Sequence, residues 1–124
     1  MVRSDLFLPQ ELSNLLISKG FDWEVIGIYG GSTGIMLSSA SVGFKSAHHY
    51  YEKNGAILWY QAEGFLRQKG YSVEISSSYS NRYKTIIYVW EIRVAGKVFA
   101  NPRIEHNDHD KCLHEGIIEC IKLL

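Results

Sequence analysis

Long apolar runs, an excess of either charge and a dense set of cysteines or prolines are all missing from this 124-residue chain, and each absence narrows its reading. Lys and Arg total 13 against 13 Asp and Glu, so no global field draws the protein to nucleic acid or to an anionic membrane. No apolar run approaches the roughly 18–20 residues that would span a bilayer, and the first residues lack the charged-then-apolar pattern of a secretory signal. A cytoplasmic protein with no membrane association is expected. The two cysteines, Cys112 and Cys120, fall on one predicted helix, about 12 Å apart at 1.5 Å per residue. That is too far for one bridge, and free thiols on an apolar helix face fit a reducing compartment.

What is present is an ordinary globular composition, 46% hydrophobic and 21% charged, in a length that closes one hydrophobic core. A single domain over residues 1–124 is expected, with a helix and hairpin in 1–40 and a helix, three strands and a helix in 56–124.

The best-patterned stretch is 83–99. Ile86, Tyr88, Trp90, Ile92 and Val94 alternate with Thr85, Ile87, Val89, Glu91 and Arg93, as residues of a strand do when they point to opposite faces. The first set is apolar or aromatic and is expected to pack on the core. Ala95-Gly96 supplies a tight turn into a returning strand over 97–100.

Upstream, residues 8–19 read as a helix with Leu8, Leu12, Leu15 and Leu16 on one stripe and Pro9 in the first turn. A hairpin follows over 22–37, with the loop Gly30-Gly31-Ser32-Thr33-Gly34. Such a loop cradles phosphate when it leads into a helix, but a short strand follows here, and the plain hairpin is the expectation. Residues 38–54 carry little pattern. The pair His48-His49 offers acid, base or ligand chemistry, yet adjacent residues do not face the same way and no third partner is visible nearby. Residues 56–69 read as the second helix, with Leu58, Ala62, Phe65 and Leu66 facing the core, and Tyr71, Val73 and Ile75 open a strand. The last helix starts near Asn107 or Asp108 as N-cap. Gly116 in its middle marks close contact between helix and sheet.

His106, His109 and Cys112 are ligand types within a short span, but structural zinc needs four converging ligands and Cys112 is expected to turn inward. No nucleophile, base and orienting group can be assembled from the spacing. No catalytic, cofactor-binding or metal-binding residue is therefore expected, and the protein is read as non-enzymatic.

The ending from Cys112 to Leu124 resembles the A-L-x-x-G-L-x-x-A-L-x-x-L helix of small proteins from prophages and mobile elements of gut bacteria. Phe65-Leu66-Arg67-Gln68-Lys69 is similar to the W-L-R-x-K-like helix end of those proteins. Leu8 to Leu16 with Lys19-Gly20-Phe21 is similar to their N-terminal part. The resemblance covers most of the chain and its motifs are structural. Alanine stands in that pattern where this chain has Cys112 and Cys120, which implies that both cysteines are small core residues.

The order helix, three strands, helix over 56–124 is also similar to a double-stranded-RNA-binding domain, and Val94-Ala95-Gly96-Lys97-Val98-Phe99 resembles its strand turn. Such domains grip phosphates with lysines at the start of the last helix. Here that start is His109-Asp110-Lys111 with Asp108 and Glu115 beside it, and acidic groups there repel phosphate.

The expected architecture is α+β in the order α-β-β-α-β-β-β-α, a mostly antiparallel sheet with helices on one face. The expected role is a protein-interaction or accessory domain of a phage or mobile element. Nucleic-acid binding through the C-terminal half, weakened by replacing Arg93 and Lys97, is the alternative. The expected interaction face is Ile87, Val89, Glu91, Arg93 and Lys97, covered by the chain's own first forty residues, by a second copy in a homodimer, or by another protein.

Overall fold

The computed structural model of the chain describes residues 4–29, 35–37, 45–46 and 55–124. The Gly30–Gly34 loop and the His48-His49 pair lie outside these residues. The chain is α+β, with helices packed on antiparallel sheets, and it divides into two compact units, residues 1–62 and 63–124.

In the first unit, a short 3-10 turn at Ser4–Leu6 precedes helix α1, Gln10–Ser18. Pro9 is its N-cap residue, where the missing proline N–H costs nothing. The buried side of α1 is Ser13, Leu16 and Ile17, one step round from the expected leucine stripe. The reason is the approach of α1 to strand β5, Gly55–Ala56: the Ser13 hydroxyl accepts the Ile57 N–H at 3.3 Å. A leucine would fill that space and leave the amide unsatisfied.

Strands β1 (Glu24–Val25), β2 (Gly27–Tyr29), β3 (Ile35–Leu37) and β4 (Lys45–Ser46) complete this unit. The expected hairpin is present, with Tyr29 opposite Ile35 and Gly27 opposite Leu37. β5 pairs with the other edge of β2, and β1 with β4, all antiparallel. Phe7, Ile35, Ala56 and Leu58 form a buried cluster, against which Ile26 and Tyr29 pack. The Tyr29 hydroxyl donates to the Leu8 carbonyl, and burial pushes its pKa up.

Helix α2 runs from Trp59 to Gln68, shorter than the expected 56–69. Its first residues were claimed by a competing demand: Gly55 and Ala56 pair with Ile28 and Gly27 in the sheet. The helix then starts on a half capping box, in which Gln61 Oε1 accepts the Leu58 N–H at 3.1 Å. Gln61 Nε2 also donates to the Glu24 carbonyl at 2.8 Å, tying the helix start to β1. The boundary between the two units falls inside α2, after Ala62.

The second unit is built on strands β6 (Tyr71–Ser80), β7 (Thr85–Val94) and β8 (Lys97–Ala100), in that spatial order. β6 and β7 pair without interruption from Tyr71 opposite Val94 to Ser80 opposite Thr85. Helix α3, His109–Ile121, packs on both. Asp108 is its N-cap, its carboxylate accepting the Lys111 N–H at 2.9 Å. Both cysteines are fully buried on α3 beside Ile117 and Ile121.

The β7–β8 turn has positive φ at both central residues, 52° at Ala95 and 80° at Gly96. Two left-handed residues in succession suit the right-handed twist of a hairpin, but a Cβ in that region costs about 1–2 kcal/mol. Ala95→Gly is therefore expected to raise the stability of this unit by about 0.5–1 kcal/mol, after allowing for the extra freedom glycine gives the unfolded chain. A thermal melt showing no rise, or a fall, would count against this reading of the turn.

The core of this unit lies at one end of the long hairpin. Trp90 and Ile92 are buried and Tyr88 and Val94 half-buried, while Ile86, also on the expected core face, is 49% exposed. The exposure of Ile86 has a simple geometric cause. A 13-residue helix is about 20 Å long, whereas ten-residue strands run to about 33 Å. The outer third of the hairpin extends past the helix.

Candidate functional site

Pairing fixes which side chains share a face, because directly opposite residues of an antiparallel pair point the same way. On the α3 side lie Val73, Ile75 and Tyr79 of β6 with Ile92, Trp90 and Ile86 of β7. The opposite side carries Ser72, Glu74, Ser76 and Ser78 with Arg93, Glu91, Val89 and Ile87. Four of the five expected interaction residues are thus brought together. Lys97 is not among them. It pairs with Val94 and falls on the α3 side, while Val98, opposite Arg93, takes the place assigned to it.

On that face Ile87 and Val89 are half-buried. Arg93 Nε donates to Glu91 Oε1 at 2.7 Å, and Asn101 Nδ2 donates to the other Glu91 oxygen at 3.3 Å. Glu91 raises the Arg93 pKa and holds its guanidinium within the domain. More open apolar side chains of this unit are Tyr79, Tyr83 and Ile86 at the outer end of the hairpin, Val98 on the same face as Arg93, and Phe99 on β8; in the first unit Tyr60 is more exposed than any of these. Phe99 is exposed because β8 bulges. Ala100 pairs with Ile92 and Val98 with the next residue, Arg93, so Phe99 is the extra residue between them.

Sequence reasoning missed the densest polar cluster of this unit. Beyond β8, the segment around His106 forms a single antiparallel bridge with Tyr88, with mutual backbone hydrogen bonds of 2.8 Å. This places the His106 ring against α3, where its Nε2 lies 2.6 Å from Glu115 Oε2. The same oxygen accepts the Trp90 indole N–H at 2.7 Å. His109 meets the Tyr88 ring edge-on, with centroids 5.4 Å apart, and its Nδ1 lies 3.3 Å from Asp110. The local signal was the spacing His106…Glu115 across an N-cap, but nothing local says that a strand bridge will turn the histidine toward the helix.

The indole N–H, with His106 beside it, holds the Glu115 carboxyl below the ordinary carboxylate range. A carboxylate stabilised this way contributes at neutral pH, and the contribution is lost as pH falls through its folded-state pKa. Glu115→Gln keeps an acceptor for Trp90 but removes the charge. It is expected to cost on the order of 1 kcal/mol at neutral pH and to flatten the loss of stability below about pH 4. Melting temperatures of both proteins across that range check this; parallel pH profiles would contradict it.

His106, His109 and Cys112 do not converge. His106 is committed to Glu115, and Cys112 is buried. Among the described residues no cluster of three or more His, Cys, Asp or Glu side chains is arranged to hold a metal ion. Burial, with Glu115 adding to it, raises the Cys112 pKa. Burial alone pushes Cys120 up to about 11. Both shifts disfavour the thiolate, the form that reacts. A cleft of about 580 Å³ is lined by Tyr83, Thr85, Ile87, Glu105, His106 and Asn107. Of these, His106 is hydrogen-bonded to Glu115.

At the start of α3, where phosphate-gripping lysines would sit in a double-stranded-RNA-binding domain, Asp108 caps the helix and Asp110 occupies its first turn. No helix among the described residues is long and apolar enough to cross a membrane. Comparison with protein-family models, curated proteins and solved structures returns no match.

Proposed function

We propose that the chain is a non-enzymatic interaction domain whose contact surface is the exposed part of the β6–β7–β8 sheet, and that its partner includes a second copy of itself. The observation that carries this reading is the outer end of the hairpin, where Tyr79, Tyr83 and Ile86 stand about half exposed or more, beyond the reach of α3. Large apolar side chains gathered at one end of a rigid element are the usual signature of a protein contact. The polar groups that would support an enzymatic reading are occupied in holding α3 to the sheet. The resemblance of the last helix to prophage proteins supports a role as an accessory protein of a phage or mobile element.

Nucleic-acid contact has one observation in its favour. Residues 75–90 contain Arg82 and Lys84 and no acidic side chain. Against it, Arg93 is held by Glu91, Glu105 lies beside Tyr83 in the cleft, and α3 begins with aspartates. Two cations at a hairpin tip, Arg82 lying over the Tyr83 ring at 5.2 Å, give at most weak, strongly salt-dependent affinity.

Sedimentation equilibrium tests the interaction reading. The intact chain is expected to show a mass above the 14.1 kDa of one protomer, and Tyr79→Ser to shift that mass downward, with a melting temperature equal to the parent's at concentrations where both are monomeric. A variant that assembles like the parent would remove the hairpin end from the interface.

A further inference from the structure

We propose that self-association occurs by strand pairing at the outer edge of β6, antiparallel and two-fold symmetric, with Ser77 opposite Ser77 of the second copy. The inference rests on the interaction reading and specifies its geometry.

β6 is the terminal strand of its sheet and pairs only with β7, through ten continuous rungs. Among the described residues no backbone hydrogen bond reaches its other side. A row of unpaired N–H and C=O groups of that length is a template for another strand, and soluble proteins normally blunt such edges with lysine, proline or a bulge. β6 has none of these. Its one charged residue is Glu74, and Ser76, Ser77, Ser78 and Tyr79 are all exposed.

Symmetry and the pleat restrict the register. Two copies of one strand, paired antiparallel with their faces matched, must place some residue opposite itself. Centring on Ile75 sets Val73 against Ser77, and centring on Ser76 sets Ile75 against Ser77, each wasting an apolar side chain on a hydroxyl. Centring on Ser77 sets Ile75 against Tyr79 twice, Ser76 against Ser78 twice and Glu74 against Ser80. It matches apolar with apolar and hydroxyl with hydroxyl, pairs that stabilise a sheet; centring on Glu74 also does so, with Val73 against Ile75 and Ser72 against Ser76, but it sets the two Glu74 carboxylates face to face. Centring on Ser77 keeps the two Glu74 carboxylates about 20 Å apart. The occupant that satisfies this pattern is β6 itself, and Tyr79, 61% exposed in one copy, gains a cross-strand neighbour.

The test uses the intact chain with three substitutions at the exposed Ser77. Ser77→Cys is expected to form a disulfide-linked dimer under mild oxidation, because side chains opposite each other at the two-fold lie within disulfide reach. Glu74→Cys, offset from its own copy, is expected to stay unlinked. Ser77→Lys places like charges face to face and is expected to weaken association at least tenfold; an equal mixture with Ser77→Glu is expected to restore it as a heterodimer. A parent that associates while Ser77→Lys leaves its dissociation constant unchanged and Ser77→Cys fails to link would overturn the strand register and leave the interaction reading standing. A parent that stays monomeric overturns both, and linking of Glu74→Cys in preference to Ser77→Cys overturns the register alone.

Discussion

Replacing Trp90 with alanine is expected to remove about 3–5 kcal/mol from the stability of residues 63–124. Trp90 is buried at the centre of β7, opposite Ile75, with Gly116 of α3 against its Cβ and Cγ. Truncation opens a cavity between helix and sheet and strips Glu115 of its indole donor. A domain of this size has roughly 5–15 kcal/mol in total, so the loss is a large fraction. Trp90→Phe separates the contributions: it keeps most of the ring and removes the N–H, with a loss of about 1 kcal/mol expected. Urea unfolding followed by circular dichroism measures both. A Trp90→Ala cost no larger than that of Trp90→Phe would show that the ring does not hold α3 to the sheet.

Gly116→Leu is expected to be nearly as damaging, at about 3 kcal/mol or more. Even a single Cβ at this position would sit 2.6 Å from Val73 Cγ1 and 3.1–3.2 Å from Trp90 Cβ and Cγ. Valine is stiff about χ1, and the tryptophan Cβ is fixed by the backbone, so neither neighbour gives way cheaply. Gly116→Ala sets two effects against each other. Helix propensity favours alanine by about 1 kcal/mol, while the overlap costs about 1–3 kcal/mol, and a net loss of roughly 1 kcal/mol results. Val73→Ala in the same chain is expected to relieve much of it, a coupling that a double-mutant cycle reads directly. A Gly116→Ala protein more stable than its parent would mean that helix and sheet are not in the close contact described.

Where a local pattern and a local cause coincide, the sequence was sufficient. Alternation from Thr85 to Val94 gave β7 its bounds and its core face, and glycine in mid-helix at Gly116 marked the close approach to Val73 and Trp90. Short-range spacing likewise narrowed the N-cap to Asn107 or Asp108, of which Asp108 caps the helix, and turned the cysteines inward. What escaped depends on partners distant in sequence. The two-residue strands at Lys45–Ser46 and Gly55–Ala56 are too short to alternate, and β5 exists because it completes a sheet with β2. Alternation said which way Ile86 points but not how far along the hairpin α3 reaches. Lys97 was assigned to the wrong face although the turn contained the answer, since a two-residue turn pairs Val94 with Lys97 on one side. The joining of His106 to Glu115 required a bridge to Tyr88 that no periodicity announces.

The expected interaction face and the exposed apolar side chains differ for a related reason. Ile87 and Val89, chosen because they lie opposite the core stripe, are half-buried, while Tyr79, Tyr83 and Ile86 at the hairpin end and Val98 and Phe99 on β8 are more exposed. A strand pattern separates two faces; it does not show which length of each face is covered.

Light scattering on the intact chain over a concentration series tests the interaction reading most directly. The expected result is a mass that rises from 14.1 kDa toward twice that value as concentration increases. A mass of one protomer at every concentration would contradict it.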